Sequence, residues 1–232
     1  MINVVLVETL GKENIGSISR AMANMGVENL ILVNPLCNHL SPISLKFALE
    51  SQYILKNATI YKDFDSIKNN GDISIAISRR IGKHRIKDFS LPELPEFINS
   101  YKDLKVNLVF GREANGLTNE EIEKCDMICS IPSSEKFPSL NLSHAVIIVL
   151  YEIFKSNKKE VKMEFNKEKF NSIYNNIINI LQRIGFFKNQ RPQIIKNFIK
   201  RILLRARLSD IELSILSNVL NSLNGIFTKK TN

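Results

Sequence analysis

The sequence predicts an α/β fold with a parallel sheet, followed by a small all-α extension. Two observations predict the sheet: five short runs rich in valine and isoleucine, and segments of helical character between those runs. Strands that alternate with helices are typical of a parallel sheet. A third observation predicts the extension, because the chain beyond residue 168 keeps a helical spacing of apolar residues and contains no strand-like run.

The predicted strands and helices follow one another in regular order. Strands are expected at residues 3–7, 30–33, 73–77, 106–110 and 127–131, and helices at 14–25, 44–55, 119–124 and 141–154. Thr118, with Glu121 three residues later, predicts a capping box at the start of the third helix. Residues 156–167 are polar and rich in lysine and glutamate, which is typical of a linker. We therefore expect a domain at 1–155, a linker at 156–167 and an extension at 168–232.

The extension holds the positive charge of the chain. The net charge is +9, and the part from residue 156 onward carries 15 basic and 5 acidic residues. After Pro192, apolar side chains share one helix face that is expected to pack in a small bundle: Ile195, Phe198, Ile202 and Ala206. The basic side chains are left for an acidic partner such as RNA, the alternative being a solvated surface: Arg191, Lys196, Lys200, Arg201, Arg205 and Arg207.

Composition excludes collagenous, largely disordered and membrane-spanning proteins. A hydrophobic content of 44% with 24% charged residues is ordinary for a soluble globular protein. The longest apolar run, at 145–151, is too short to span a bilayer, and no signal peptide is expected. Three cysteines without paired spacing fit a reducing compartment, so we expect the cytoplasm. The three histidines, His39, His84 and His144, lack ligand spacing, so no metal is expected.

Three junctions after predicted strands carry unusual residues, and the carboxyl ends of parallel strands are where ligands bind. The first is residues 11–16, with two glycines and with Arg20 shortly after. The second is residues 110–117, where two glycines enclose a charged pair. It lacks the lysine of a phosphate-binding loop and the third glycine of a dinucleotide fingerprint, which excludes both classes. The third, residues 138–145, would by itself be explained as a helix cap.

Together the three junctions resemble the three ordered motifs of the SpoU/TrmH branch of the SPOUT methyltransferases. The matching segments are residues 4–8, 14–16 and 20–22, then 108–113 and 116–118, then 131–132 and 139–142. Residues 25–26, 32–35, 151–152 and 201–208 further resemble the bacterial tRNA cytidine/uridine 2′-O-methyltransferase J family. The resemblance extends from about residue 2 to about residue 223.

This resemblance implies a deep trefoil knot at the carboxyl-terminal end of the α/β domain, a homodimer, and S-adenosylmethionine as cofactor. The implied reaction is methylation of a ribose 2′-hydroxyl in the anticodon loop of tRNA, at cytidine or uridine. The implied cofactor contacts are Ile77, Ser78, Arg79, Gly111, Ile131, Pro138, Ser139, Leu140 and Asn141. Two positions depart from the family pattern, because Pro138 stands where serine is usual and residues 77–80 replace Thr-Ser-Ala-Arg.

The resemblance also assigns catalytic roles to Arg20 and Asn14. The pKa of arginine lies above about 12, so Arg20 is expected to hold a phosphate and polarise the hydroxyl rather than remove its proton. Asn14 is expected to fix the first loop, while Glu113 and Gly116 shape the second. Three alternatives stay open: a ribosomal RNA 2′-O-methyltransferase, a non-catalytic RNA-binding homologue, and a phosphate-binding protein unrelated to RNA.

Overall fold

The computed structural model describes residues 1–78, 88–101, 103–156, 166–189 and 192–229. The chain divides into two compact units, Met1–Val161 and Lys162–Asn232. The first unit contains the sheet and the loops that carry the three sequence motifs, and the second unit is helical.

The first unit is built on a parallel sheet, in which the described residues form seven strands. These are β1 (Ile2–Val7), β2 (Asn29–Val33), β3 (Thr59–Tyr61), β4 (Ile73–Ile77), β5 (Phe89–Ser90), β6 (Val106–Phe110) and β7 (Met127–Ser130). Their order across the sheet is β3-β2-β1-β6-β4-β7-β5, and every pairing is parallel. The α/β class predicted from the sequence is confirmed. All carboxyl ends of the strands therefore lie at one edge.

Five α-helices lie between the described strands and a sixth follows the last strand: α1 (Lys12–Asn24), α2 (Pro42–Ala48), α3 (Gln52–Lys56), α4 (Leu94–Ser100), α5 (Asn119–Lys124) and, after β7, α6 (Leu142–Ser156). Helix α1 contacts α2, α3 and α6. The capping box before α5 is confirmed, since the Thr118 hydroxyl accepts from the Glu121 N–H and the Glu121 carboxylate accepts from the Thr118 N–H.

Five of the strands confirm the predicted runs to within one residue at each end. The prediction of one helix at 44–55 was wrong, because α2 ends at Ala48 and a 3-10 turn, Leu49–Ser51, separates it from α3. Leu49 has a φ of 51°, in the left-handed region that leucine seldom adopts. Because the residue at this break is not a glycine, the sequence did not indicate where the helix ends. Strands β3 and β5 and helix α4 were not predicted, because the two strands are only three and two residues long and because Pro92 and Pro95 lie just before and within the first turn of α4.

The central strands are buried on both faces, which explains why their sequences are continuous apolar runs rather than alternating ones. Val4, Val5 and Leu6 of β1 are all fully buried. One face packs on a cluster that includes Val5, Val109 and Ile122, so α5 covers that side of the sheet. At about 25 cal/mol per Å² of buried apolar surface, such strands are the main source of stability in this unit.

The amino ends of the central strands are closed by a buried amide network. The Asn3 side-chain amide on β1 donates to Asn107 Oδ1 on β6 over 2.8 Å and to the Asn70 carbonyl over 2.8 Å. The Asn107 amide donates to the Ile67 carbonyl over 3.0 Å and to the Ser74 hydroxyl over 3.3 Å. Asn3, Asn107 and Ser74 are all buried, and each has a partner. This edge of the sheet is therefore sealed by internal hydrogen bonds.

The second unit contains three long helices in its described residues: α7 (Lys167–Arg183), α8 (Pro192–Ala206) and α9 (Asp210–Lys229). Helix α7 contacts both α8 and α9. No helix in the described parts of either unit combines the length and apolar character needed to cross a membrane.

The predicted inward face of α8 was wrong in part. Phe198 and Ile202 are 52% and 46% exposed, whereas Leu203 and Leu204 are buried. A helix advances 100° per residue, so Leu203 and Leu204 lie on the side opposite Phe198. The pattern misled because α8 is apolar on both sides, and spacing alone does not say which side meets the bundle.

Candidate active site

A cavity of about 250 Å³ lies at the carboxyl edge of the sheet, beside the ends of β4, β6 and β7. It contains seven of the residues for which the resemblance implied cofactor contacts: Ile77, Ser78, Gly111, Ile131, Pro138, Ser139 and Leu140. Arg79 lies outside the described residues. Asn141 does not line the cavity and is exposed at the start of α6. The structure thus brings residues from three distant segments to one place.

Two glycines shape the wall that the second motif contributes. A Cβ at Gly111 would overlap the backbone of Gly116 and Leu117, so the chain can fold back on itself only if residue 111 has no side chain. Gly116 has a φ of 65°, which glycine adopts at little cost. Arg112 and Gly116 then exchange backbone hydrogen bonds of 3.2 and 2.9 Å. The result is a tight hairpin-like loop that lines the cavity.

Glu113 joins the second motif to the first. Its carboxylate accepts from the Gly11 N–H over 2.9 Å, from the Leu10 N–H over 3.3 Å and from the Asn14 amide over 3.2 Å. Burial alone would raise the pKa of Glu113, but these hydrogen bonds outweigh burial and the pKa is lowered. Glu113 is therefore ionised at neutral pH and already engaged with three donors, which suits an anchor better than a general base.

Asn14 continues this connection to the third motif. While its amide nitrogen donates to Glu113, its Oδ1 accepts from the Asn141 amide over 3.0 Å. The Asn141 Oδ1 in turn accepts from the N–H of Ser143 over 2.9 Å and from its hydroxyl over 2.7 Å. One chain of hydrogen bonds, Glu113 to Asn14 to Asn141, therefore links all three motif loops.

Arg112 holds the same loop from its other side through an ion-pair network that the sequence analysis missed. Its guanidinium makes two parallel bonds to Glu121, of 2.9 and 3.0 Å, and its Nε donates to Glu8 over 2.7 Å. The hydrogen bonds to Glu121 and Glu8 raise the pKa of Arg112. The Arg112 hydrogen bond lowers the pKa of Glu8. Burial acts to raise the pKa of Glu121, but the hydrogen bonds from Arg112 and Thr118 outweigh burial and the pKa is lowered. Such bidentate pairing fixes direction as well as distance.

The loop after β1 is further constrained at Glu8. Glu8 has a φ of 49°, and Asn34 at the end of β2 has a φ of 45°. The Asn34 amide donates to Glu8 over 3.3 Å, and the Glu8 N–H donates to the Val33 carbonyl over 2.8 Å. Left-handed backbone at a non-glycine residue costs free energy, and such strain is often found at functional sites. The strand ends are therefore held in special conformations around Arg112.

Arg20 occupies a different position from the other predicted site residues. It is exposed on α1, does not line the cavity, and makes no hydrogen bond or ion pair among the described residues. Six residues along a helix place it about 120° around the axis from Asn14. Its neighbour Ser19 is buried and donates to the Ser51 carbonyl over 2.7 Å, which fixes this part of α1. The structure thus leaves the guanidinium at the surface.

The cavity is also lined by Glu113 and Gly116, which were expected to shape the second loop, and by residues that were not predicted: Phe110, Arg112, Ala114, Asn115, Leu117, Leu142 and Ala145. Most belong to the loop of the second motif, which lines the cavity along its length. Leu142 and Ala145 come from the first turn of α6, where their three-residue spacing places them on one face. That spacing was visible in the sequence and could have identified them.

The family profile described as SpoU rRNA Methylase matches residues 1–151 of the chain. This match covers the whole sheet and all three motif loops. The predicted resemblance to that branch of methyltransferases is therefore confirmed.

Individual relatives extend the similarity into the second unit. A tRNA (cytidine-2′-O-)-methyltransferase TrmJ of Methanocaldococcus jannaschii is 36% identical over 223 residues, which cover 91% of this chain and 95% of that protein. A tRNA (cytidine/uridine-2′-O-)-methyltransferase TrmJ of Photorhabdus laumondii is 34% identical and covers 95% of each chain. The solved structure of a methylase family protein from Haemophilus influenzae superimposes with a TM-score of 0.71 at 33% identity, covering 99% of this chain and 98% of that one. The chain belongs to the SpoU methylase family and is a methyltransferase.

Proposed function

We propose that the protein transfers a methyl group from S-adenosylmethionine to a ribose 2′-hydroxyl in the anticodon loop of tRNA, at cytidine or uridine. The observation that carries this proposal is the joining of all three methyltransferase motifs around one cavity by Glu113, Asn14 and Asn141. The relatives from M. jannaschii and P. laumondii supply the substrate class, since both are named for tRNA 2′-O-methylation.

The residues around the cavity fit the proposed cofactor. Ile77 and Leu140 offer apolar contacts, Ser78 and Ser139 offer polar ones, and Gly111 lines the cavity without a side chain. The lining is about equally polar and apolar, and a concave site with convergent polar groups can fix the orientation of a small molecule. When bound, S-adenosylmethionine supplies an electrophilic methyl group on a sulfonium sulfur. Ile77, Ser78, Gly111, Ile131, Pro138, Ser139 and Leu140 would hold it.

The protein's own contribution is positioning and charge. Displacement at a methyl carbon needs the attacking oxygen in line with the leaving sulfur, so rigid loops account for much of the acceleration. Glu113 and Arg112 supply that rigidity by fixing the second loop on both sides. We assign Arg20 to the phosphate beside the target ribose, where its charge polarises the 2′-hydroxyl. The hydroxyl proton then leaves through that phosphate or through water, since Glu113 is already engaged.

The second unit is proposed to hold the body of the tRNA. On α8, Arg201 and Arg205 lie on the side that exposes Phe198 and Ile202, by the 100° advance of a helix. Arginine next to exposed aromatic and aliphatic groups can contact RNA phosphates and bases together. Lys196 and Lys200 lie nearer the side of the buried Leu203 and Leu204, so we expect them to contribute less. Arg207 directly follows α8, where its φ of 46° turns the chain out of the helix. Arg191 lies outside the described residues.

We also propose the deep trefoil knot, a homodimer and a cytoplasmic location, as the family resemblance implies. The order of strands supports the knot, because β6 is inserted between β1 and β4, and β7 lies between β4 and β5. Exposed apolar side chains on α6 support a second copy, since Tyr151 and Phe154 are 50% and 49% exposed.

Domain boundaries at 155 and 167, with the linker between them, remain part of the same proposal.

The test is transfer of labelled methyl from S-adenosylmethionine to unmodified tRNA, with ribosomal RNA in parallel and nuclease mapping of the product. A 2′-O-methyl group in the anticodon loop is expected. Methylation of ribosomal RNA alone would show that ribosomal RNA, and not tRNA, is the substrate. Binding of RNA without binding of cofactor would identify a non-catalytic homologue.

A further inference from the structure

Phe137 is the most exposed of the large apolar side chains in the described parts of the chain, at 82%. It directly precedes Pro138 and Ser139, which both line the cavity. A single exposed apolar residue needs no explanation by itself. The position of Phe137 does need an explanation, because its aromatic ring is exposed to solvent at the rim of the proposed methyl-transfer site.

The backbone around Phe137 is restrained, so the ring is displayed rather than left loose. The Ser133 hydroxyl donates to the Pro138 carbonyl over 3.1 Å and closes the loop between them. A residue before proline is restricted to extended conformations, which limits Phe137 further. Folding gains nothing from the exposed ring, since it contributes little buried apolar area.

We propose that Phe137 stacks on the base of the nucleotide whose ribose is methylated, and so sets the target ribose beside the cavity. The inference rests on the proposed function and deepens it by assigning a substrate-positioning residue. Single-stranded RNA bases are commonly held on aromatic side chains. Lys136, exposed next to Phe137, is placed to meet a flanking phosphate.

Stacking on Phe137 also accounts for a substrate range that includes both pyrimidines. Every base has a π face, so a stacking contact tolerates a change of base, whereas hydrogen bonds to base edges do not. Phe137 therefore favours an unstacked base at the target position without distinguishing cytosine from uracil. Discrimination against other nucleotides is left to groups elsewhere.

The absence of tryptophan from the sequence allows a direct test. Phe137→Trp introduces a unique fluorophore at the proposed contact, and Tyr53→Trp introduces one on α3, beside Asn3 and Asn29 at the opposite end of the sheet. The probe is a tRNA anticodon stem-loop, compared with the same stem-loop lacking the base at the target position. We expect the intact stem-loop to quench the residue 137 fluorophore, the abasic one to leave it unquenched, and neither to affect residue 53.

Kinetics provide the second measurement. Phe137→Ala should raise the KM for tRNA about 5- to 100-fold, the effect of losing one aromatic–base stack. Phe137→Tyr should restore it, and the Kd for S-adenosylmethionine should stay unchanged in both variants. An unchanged KM in Phe137→Ala, or equal quenching by intact and abasic stem-loops, would overturn the inference. Absence of methyl transfer by the unsubstituted protein would instead overturn the proposed function.

Discussion

The two ends of the parallel sheet use similar polar side chains for different purposes. At the amino ends, Asn3 and Asn107 are buried and bind each other and nearby backbone carbonyls. At the carboxyl ends, Asn14 and Asn141 are partly or fully exposed and bind each other and Glu113. Both networks are satisfied, but only the second lies beside a cavity lined by the methyltransferase motifs.

This difference separates stability from activity within one unit. A buried amide that loses its partner leaves unsatisfied groups in the core, so the cost falls on folding. A partly exposed network can exchange lost partners for water, so its loss moves loops and leaves the core intact. Substitutions at the amino ends should therefore change the free energy of unfolding, and those at the carboxyl ends should change methyl transfer.

The largest expected effect is on catalysis at Arg20. Arg20→Ala should lower kcat for tRNA methylation by about 100- to 1000-fold, the range for losing a preorganised charge at a reacting group. The melting temperature should stay the same, because the side chain is exposed and makes no hydrogen bond or ion pair among the described residues. Lys46→Ala on α2 is a matched control that should retain activity. A kcat within threefold of the unsubstituted protein would remove Arg20 from the mechanism.

The second effect concerns the anchor of the motif loops. Glu113→Gln replaces one of the two carboxylate oxygens, which accept from the Leu10 and Gly11 N–H groups, with an NH2 group that cannot accept. We expect kcat/KM to fall about 10- to 100-fold, with the free energy of unfolding lowered by only about 1 kcal/mol. Steady-state kinetics and urea unfolding measure the two quantities. If the variant unfolds readily yet keeps its activity per folded molecule, Glu113 stabilises the fold, as the amino-end network does, and does not contribute to methyl transfer.

The third prediction tests the amino ends. Asn107→Ala removes the partner of Asn3 and of the Ile67 carbonyl, so the free energy of unfolding should fall by about 1–3 kcal/mol. Below the unfolding temperature, kcat should stay unchanged. Asn29→Ala, at an exposed asparagine beginning β2, is the control and should alter neither quantity. Loss of kcat in folded Asn107→Ala would break the division between the two ends.

The smallest predicted effect is a pH dependence at the carboxyl ends. The pKa values of Glu8, Glu113 and Glu121 are lowered from 4.5 in the folded protein. Their contribution to stability is therefore present above about pH 4.5 and is lost as the pH falls through the folded-state values. The protection factors for amide exchange in the loop between Gly111 and Thr118 should fall on acidification before those of the central strands do. Glu121→Gln should weaken this acid response; an unchanged response would assign it to other groups.

Much of the fold followed from the sequence because parallel strands buried on both faces leave continuous apolar runs. The runs of β1, β4 and β6 needed no other information. Short strands such as β5 carry too few residues to show a pattern, and their pairing depends on β7 from a distant part of the chain. The left-handed turn at Leu49 had no glycine to mark it.

The site was predictable where backbone shape dictates residue type. Gly111 and Gly116 are required by a close approach and a positive φ, and both carried the resemblance. The pairing of Arg112 with Glu8 was not predictable, because those residues lie 104 positions apart and only the folded sheet brings them together. Ion pairs of this kind leave no local pattern in the sequence.

The central claim, that the carboxyl-end cavity is the cofactor site, is tested most directly by filling it. Ala145 lines the cavity, while its neighbour His144 is exposed on the same helix and does not. Calorimetric titration with S-adenosylmethionine should show binding to the unsubstituted protein and to His144→Trp with Kd values within about threefold, and binding to Ala145→Trp weakened at least about 100-fold. Equal Kd values for folded Ala145→Trp and the unsubstituted protein would contradict the account and place the cofactor elsewhere.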